Sequence, residues 1–265
     1  MVSDTTISEK LLSAINWGAM PDKSAIEWTD ATWNPVTGCT KISPGCAHCY
    51  AETITLRFKR GGPFLPGKTT IALPPERLDD PGKWRSPRTV FVNSMSDLFH
   101  EEIPFEFIDQ VFQRMATYSQ HIYQVLTKRP ERLLEYVEWT DSRRWPDHIW
   151  IGVSVENQFW ADRRVPLLTQ VPCSVRFLSC EPLLKPIKLD LDGIHWVIVG
   201  GESGPKARKM EEAWALDIRD QCDRQGVPFF FKQWGGRHSK AGGRLLEGRA
   251  WNGMPDVAVA NLAGT

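Results

Sequence analysis

Along the chain, short runs of β-branched and aromatic residues alternate with stretches whose apolar positions recur at helical spacing. Thr89-Val90-Phe91-Val92, Tyr123-Gln124-Val125-Leu126, Trp150-Ile151-Gly152-Val153, Val175-Arg176-Phe177-Leu178, Trp196-Val197-Ile198-Val199 and Phe229-Phe230-Phe231 read as six strands, with a weaker seventh over residues 31–36. Helices are expected over 105–118, 131–139, 159–168 and 211–224. Strict alternation of strand and helix predicts parallel strands with right-handed crossovers, in an open doubly wound sheet or a barrel. Every strand run ends in polar or small residues, among them Asn93-Ser94, Thr127-Lys128-Arg129, Ser154-Val155-Glu156, Ser179-Cys180-Glu181, Gly200-Gly201-Glu202 and Lys232-Gln233. Contributions from all the strand ends favour a complete or partial barrel with its chemistry at the C-terminal mouth, since an open sheet gathers its site at one switch point. One further helical pattern at 8–15 and a linker at 20–24 divide the chain into an N-terminal arm (1–25), an α/β body (26–234) and a C-terminal extension (235–265).

At 265 residues the chain buries a core without disulfide or metal staples, and its 42% apolar and 24% charged content is ordinary for a globular protein. No run of eighteen apolar residues suggests a membrane span. Lysine plus arginine (32) equals aspartate plus glutamate (32), which excludes a whole-molecule pull on polyanions and leaves only local patches. Met1-Val2-Ser3-Asp4 has neither the basic nor the apolar region of a secretory signal, so a cytoplasmic protein with reduced thiols is expected.

Three of the six cysteines fall within eleven residues, in Gly38-Cys39-Thr40-Lys41-Ile42-Ser43-Pro44-Gly45-Cys46-Ala47-His48-Cys49-Tyr50. This C-x6-C-x2-C loop directly follows the first candidate strand. Three soft thiolates on one loop suit an iron–sulfur cluster or zinc. Zinc would need a fourth ligand, for which His48, Cys173 or Cys180 are candidates; a four-iron cluster held by three cysteines would leave one iron open to a substrate or cofactor. Cys180 otherwise reads as a buried structural thiol.

The run Trp28-Thr29-Asp30-Ala31-Thr32-Trp33-Asn34-Pro35, the three-cysteine loop, Gly152-Val153-Ser154-Val155-Glu156-Asn157, Arg176-Phe177-Leu178-Ser179-Cys180-Glu181-Pro182-Leu183 and Val199-Gly200-Gly201-Glu202-Ser203-Gly204 resemble the phage-associated three-cysteine-motif family. That family is similar to the radical S-adenosylmethionine enzymes, with spore photoproduct lyase among its suggested relatives. The resemblance covers about residues 26 to 255 and implies a partial (β/α)6-type TIM-like barrel. It also implies a [4Fe-4S] cluster on Cys39, Cys46 and Cys49, an electron donor for it, and S-adenosylmethionine chelated to the open iron. Cleavage would give methionine and a 5'-deoxyadenosyl radical, the cofactor supplying the chemistry and the barrel supplying position and dryness. The superfamily's usual loop is C-x3-C-x2-C; here six residues separate the first two cysteines.

By position, the resemblance puts His48 where a backbone group touches adenine, with Tyr50 packing beside it. Ser94, Ser96 and Asp97 stand where many relatives hold the methionine amino group with a Gly-Gly-Glu run. Lys128 and Arg129 could neutralise the methionine carboxylate or start a helix in solvent. Ser154 and Glu156 could bond the ribose or cap the next helix. Gly200, Gly201 and Glu202 offer unshielded backbone to a cofactor or form a tight turn, and Glu181 is a polar group for the mouth.

From Phe229 to Arg249 five basic residues (Lys232, Arg237, Lys240, Arg244, Arg249) meet one acidic residue, Glu247. With Trp234 and Trp251 nearby, and Trp28 and Trp33 beside the cysteine motif, this run permits a nucleic-acid substrate or reads as a solvated tail. Joined to the resemblance to a superfamily branch that includes a DNA lesion lyase, it makes a nucleic-acid base or nucleotide, over a peptide or small metabolite, the expected substrate class. The competing classes are a non-catalytic iron–sulfur or zinc protein that binds nucleic acid or a protein partner, and a zinc hydrolase, which only six histidines and no paired-ligand motif disfavour.

Overall fold

The computed structural model describes residues 24, 26–58, 60–141, 144–238 and 241–256. The helical pattern at 8–15, all but the last residue of the linker at 20–24, and Lys240 lie outside the described residues. Seven parallel strands form one sheet: β1 (Ala31–Trp33), β2 (Thr89–Val92), β3 (Ile122–Thr127), β4 (Ile149–Ser154), β5 (Arg176–Cys180), β6 (Trp196–Gly200) and β7 (Phe229–Gln233). Among the described residues five α-helices accompany them: α1 (Tyr50–Arg57), α2 (Phe105–Thr117), α3 (Pro130–Thr140), α4 (Gln158–Leu168) and α5 (Glu212–Gln225). Among the described residues no helix is long and apolar enough to cross a membrane.

Strand order decides between the two architectures the alternation allowed. The strands lie side by side in chain order, β1 to β7, with no reversal, so there is no switch point of the doubly wound kind. The sheet is curled: Trp28, just before β1, reaches across the concave face to Trp196 of β6 (ring centroids 6.0 Å apart) and Phe177 of β5 (6.5 Å). β1 and β7 are not paired, and the result is a half-barrel.

Two cores follow from side-chain alternation across each strand. On β6, Trp196 and Ile198 join Trp28, Phe91, Trp150, Phe177 and Phe230 inside the curl, while Val197 and Val199 face the helices. Ile108, Val111, Phe112 and Met115 form a helical stripe that buries α2 in that outer core, each such side chain stabilising by about 1.5–3 kcal/mol on leaving water. The exposed edge of β7 is covered by the chain's return: the Phe231 amide donates to the Trp251 carbonyl (3.0 Å) and the Gly253 amide to that of Phe229 (2.9 Å), which blunts the edge against foreign strands.

The local departures have local causes. β1 stops at Trp33 because Pro35 cannot continue the ladder. The strict alternation fails between β5 and β6, where no helix forms; Pro182, Pro186 and Gly193 interrupt that stretch, and Leu183, Ile187, Leu189, Leu191 and Ile194 anchor it in the outer core. Helix α1, directly after the cysteine loop, has no counterpart in the sequence pattern, since it buries only Ala51 and Thr55.

Candidate functional site

The inner-face alternation runs on past the strand ends and delivers Asn93, Lys128, Ser154, Ser179, Glu181, Glu202 and Lys232 to the C-terminal mouth of the half-barrel. They line one cavity of about 630 Å³, together with Cys39, Cys46, Cys49, His48, Tyr50, Ser94, Ser96, Asp97, Arg129 and Gly201. Glu156 and Gly200 do not line it.

The cysteine loop forms part of the cavity wall, and its path is fixed by glycines and by charged side chains from the loops after β3, β4 and β6. Gly38 adopts φ +93°, and a Cβ there would lie 2.3 Å from the Thr70 carbonyl oxygen. Arg129, after β3, donates through Nη2 to the Thr40 carbonyl (3.1 Å) and hydroxyl (2.9 Å), while its other nitrogens reach Asp97 (3.2 Å) and Glu101 (3.2 Å). Glu156, after β4, accepts from the Ser43 hydroxyl (2.5 Å) and from Arg164 Nη1 (3.0 Å), so close to the loop that a Cβ on Gly45 would sit 2.4 Å from its carboxylate. Arg208, after β6, donates to the Pro44 carbonyl (2.8 Å) and clamps Glu202, which also meets His48 Nδ1 (3.0 Å).

Several expected roles change with these contacts. Glu156 does not face a ribose: it is fully buried and engaged with Ser43 and Arg164, because the loop packs directly on it. Gly200 and Gly201 are glycines for packing reasons, since a Cβ would meet Glu181 at 2.7 Å and the Trp234 carbonyl at 1.9 Å respectively; only Gly201 borders the cavity. Asp97 is buried and accepts from the Thr127 hydroxyl (2.7 Å) and the Lys128 amide (2.9 Å) as well as Arg129. The Ser94 and Ser96 hydroxyls donate to Asn34 Oδ1 (3.2 Å) and the Val36 carbonyl (2.8 Å), and the Tyr50 hydroxyl donates to the Ser94 carbonyl. Arg129 is occupied as described. Lys128 instead turns its ammonium to the Ser154 hydroxyl (3.0 Å), and Glu181 pairs with Lys232 (2.9 Å).

The three thiols differ electrostatically. Burial, reinforced by Asp97, pushes Cys39 up to about 12 despite Arg129 Nη1 at 3.8 Å. Burial also raises Cys49, against amide donors at the start of α1. For Cys46 burial acts the same way, but Lys128 and donors at Ile42 and Ser43 outweigh it, and its thiol lies below the ordinary value. Cys173, Cys180 and Cys222 are buried in the outer core. Among the described residues no three His, Cys, Asp or Glu side chains stand ready to hold a single metal ion.

Burial would raise the Glu202 carboxyl, yet Arg208 and His48 overcome it and hold it at about 2 against an ordinary 4.5. A depressed folded-state value stabilises the fold fully above pH 4.5 and is lost as pH falls towards 2. Glu202→Gln is therefore expected to start less stable at neutral pH and to lose stability less steeply between pH 4.5 and 2, followed by circular dichroism; an unchanged slope would refute the pairing.

A family model described as a protein of unknown function, DUF5131, matches residues 23–255. The chain belongs to that family. No curated protein and no solved structure matches it. The matched span runs from just before β1 to the strand-like return that covers β7 and so takes in all seven strands and the residues that line the cavity.

Among the described residues the basic run from Lys232 to Arg249 does not form one stripe. Lys232 faces Glu181 within the cavity, Arg244 lies over Phe230 (5.3 Å) and bonds Asn252, and Arg249 stacks on Trp251 (3.5 Å). The Trp234 indole donates to the Leu245 carbonyl (2.8 Å) and packs edge-on against Phe231. Sequence reasoning missed Arg164 and Arg208, which carry no motif and act on partners distant in the chain, and Asn34, which accepts from both Ser94 and the Met95 amide.

Proposed function

We propose that this DUF5131 protein is a radical S-adenosylmethionine enzyme on a partial (β/α)6-type TIM-like barrel, with a [4Fe-4S] cluster held by Cys39, Cys46 and Cys49. The observation that carries the reading is that these three thiols, and no other cysteine, line the cavity of about 630 Å³ at the strands' C-terminal mouth. The donor set fits the group: three sulfur ligands on one braced loop, half-exposed towards a chamber with room for a further molecule. When bound and reduced by an external electron donor, the cluster would supply the electron that splits S-adenosylmethionine into methionine and a 5'-deoxyadenosyl radical.

The chain's own residues would do the rest. Lys128, whose ammonium meets a hydroxyl rather than a carboxylate, would take the cofactor carboxylate, and Glu181 would take its amino group in exchange for Lys232. Arg129, Glu156 and Arg208 hold the loop from the ends of β3, β4 and β6 and so keep the thiols in register. The apolar inner core beneath excludes water from the chamber floor. A nucleic-acid base or nucleotide is the substrate class we carry forward.

Anaerobic reconstitution with iron and sulfide tests this. About four irons and four sulfides per chain are expected, then S-adenosylmethionine binding that requires the cluster, then 5'-deoxyadenosine on reduction. Zinc retained through aerobic purification with no iron uptake would favour a non-catalytic metal protein, and a loaded, reduced protein that binds S-adenosylmethionine without releasing 5'-deoxyadenosine would remove the radical mechanism.

A further inference from the structure

The most buried part of the cavity lining, its inner end, carries a set of polar atoms that no described residue satisfies. Both amide atoms of Asn93, the Ser179 hydroxyl, Gln233 Oε1 and Trp28 Nε1 have no hydrogen-bond partner among the described residues. All four residues line the cavity, and all are more than nine-tenths buried. Buried polar groups are almost always paired, and each orphan costs stability. Five such atoms on four residues around one cavity mark a place where a ligand supplies the missing partners.

Two backbone features place them there at further cost. Asn93 holds φ +61°, the left-handed region that asparagine tolerates better than most residues but glycine enters freely. At the other side of the curl, the register shifts between Val199 and Gly200, so that Gly200 pairs with Gln233. Strand alternation would give Lys232 and Gln233 opposite faces, yet after this irregularity both line the cavity.

The chemistry of the wall selects a ligand class. Its unpaired atoms are neutral and mix donors with acceptors, which disfavours a phosphate or carboxylate. An acyl chain would leave every one of them orphaned. The adjacent surfaces are aromatic, Trp28 and Phe91 lying tilted with centroids 4.7 Å apart. A side-chain amide reads a donor–acceptor edge in two bonds, and aromatic faces receive the ring behind it. We infer that this inner end is a subsite for an uncharged planar heterocycle with donors and acceptors along one edge, the chemistry of a nucleobase, with Asn93 its principal reader. The inference rests on the proposed function only in taking the cavity as the reaction chamber; the heterocycle is the substrate's, not the cofactor's.

Binding of free nucleobases and their nucleosides to the full chain, read by equilibrium dialysis and tryptophan fluorescence, tests it without any turnover. At least one should bind saturably, and S-adenosylmethionine should not displace it from reconstituted protein. Asn93→Gly should weaken binding about tenfold, the worth of a lost pair of hydrogen bonds, while the melting temperature stays level or rises because the variant loses both the strained backbone and the orphaned amide. Ser179→Ala should likewise weaken binding without loss of stability. Base affinity should be the same before and after iron–sulfur reconstitution, which separates this subsite from the cluster. No binding of any base at millimolar concentration, displacement by S-adenosylmethionine, preference for a neutral sugar or dipeptide, or unchanged affinity in Asn93→Gly would each overturn the assignment.

Discussion

Replacing Cys39, Cys46 or Cys49 singly by alanine is expected to abolish iron–sulfur loading, from about four irons per chain to almost none, whereas Cys173→Ala, Cys180→Ala and Cys222→Ala load as the parent does. The division follows from where the sulfurs lie. The first three border the cavity on a loop tied to three strand ends. The other three sit in the outer core, on the far side of the sheet from the cavity, and none of them borders it. The stability readout should run the opposite way: the core alanines cost about 1 kcal/mol each through the small cavity they leave, and the loop variants, half-exposed at the mouth, cost less in the metal-free protein. Iron and sulfide analysis with visible absorbance, paired with thermal melts, checks both halves. An essential role for Cys173 or Cys222, or a dispensable cysteine among the three, would mean a closed site with a different ligand set.

What the sequence made legible was what local pattern encodes. β2 through β7 announce themselves as apolar runs, and the polar residues after each run mark the mouth because a parallel strand's inward alternation does not stop where its hydrogen bonds do. The three-cysteine loop was visible as a spacing. The roles of its supports were not, because they depend on contacts such as Ser43 to Glu156, 113 residues apart, and Arg208 to Pro44, 164 residues apart, for which no local signal exists. Asn93 shows the same limit from the other side: a lone asparagine after a strand reads as a turn residue, and only the surroundings of its amide reveal that it is unpaired. Helix α1 escaped because a short helix with two buried residues has almost no periodic signature.

The second large effect is expected at the base of the loop, in the pair Glu156–Arg164. Both side chains are out of solvent, at 0% and 1% exposure. Arg164 Nη1 donates to Glu156 Oε2 (3.0 Å) and to the Ser154 carbonyl (2.7 Å), and its guanidinium lies over Trp160 at 4.0 Å. Desolvating both charges makes the intact pair a weak net stabiliser, but removing one partner strands the other in low dielectric, so Arg164→Ala should cost about 3–5 kcal/mol, a large share of the roughly 5–15 kcal/mol that holds a typical fold. Glu156→Gln should cost a similar amount by orphaning the cation, even though it keeps an acceptor for Ser43. The double variant Glu156→Gln/Arg164→Met should recover most of the loss, because no buried charge remains and the volume is nearly kept. Urea denaturation of these four proteins and of Arg164→Met, which closes the cycle with Glu156→Gln, gives the coupling. Because the pair is buried, these differences should change little with salt. The loop adds a second readout: with Ser43 and Gly45 resting on the Glu156 carboxylate, Arg164→Ala should also slow iron–sulfur loading, although it touches no cysteine. An Arg164→Ala cost below 1 kcal/mol, or a double variant as unstable as the sum of the singles, would show that the pair does not brace the cysteine loop.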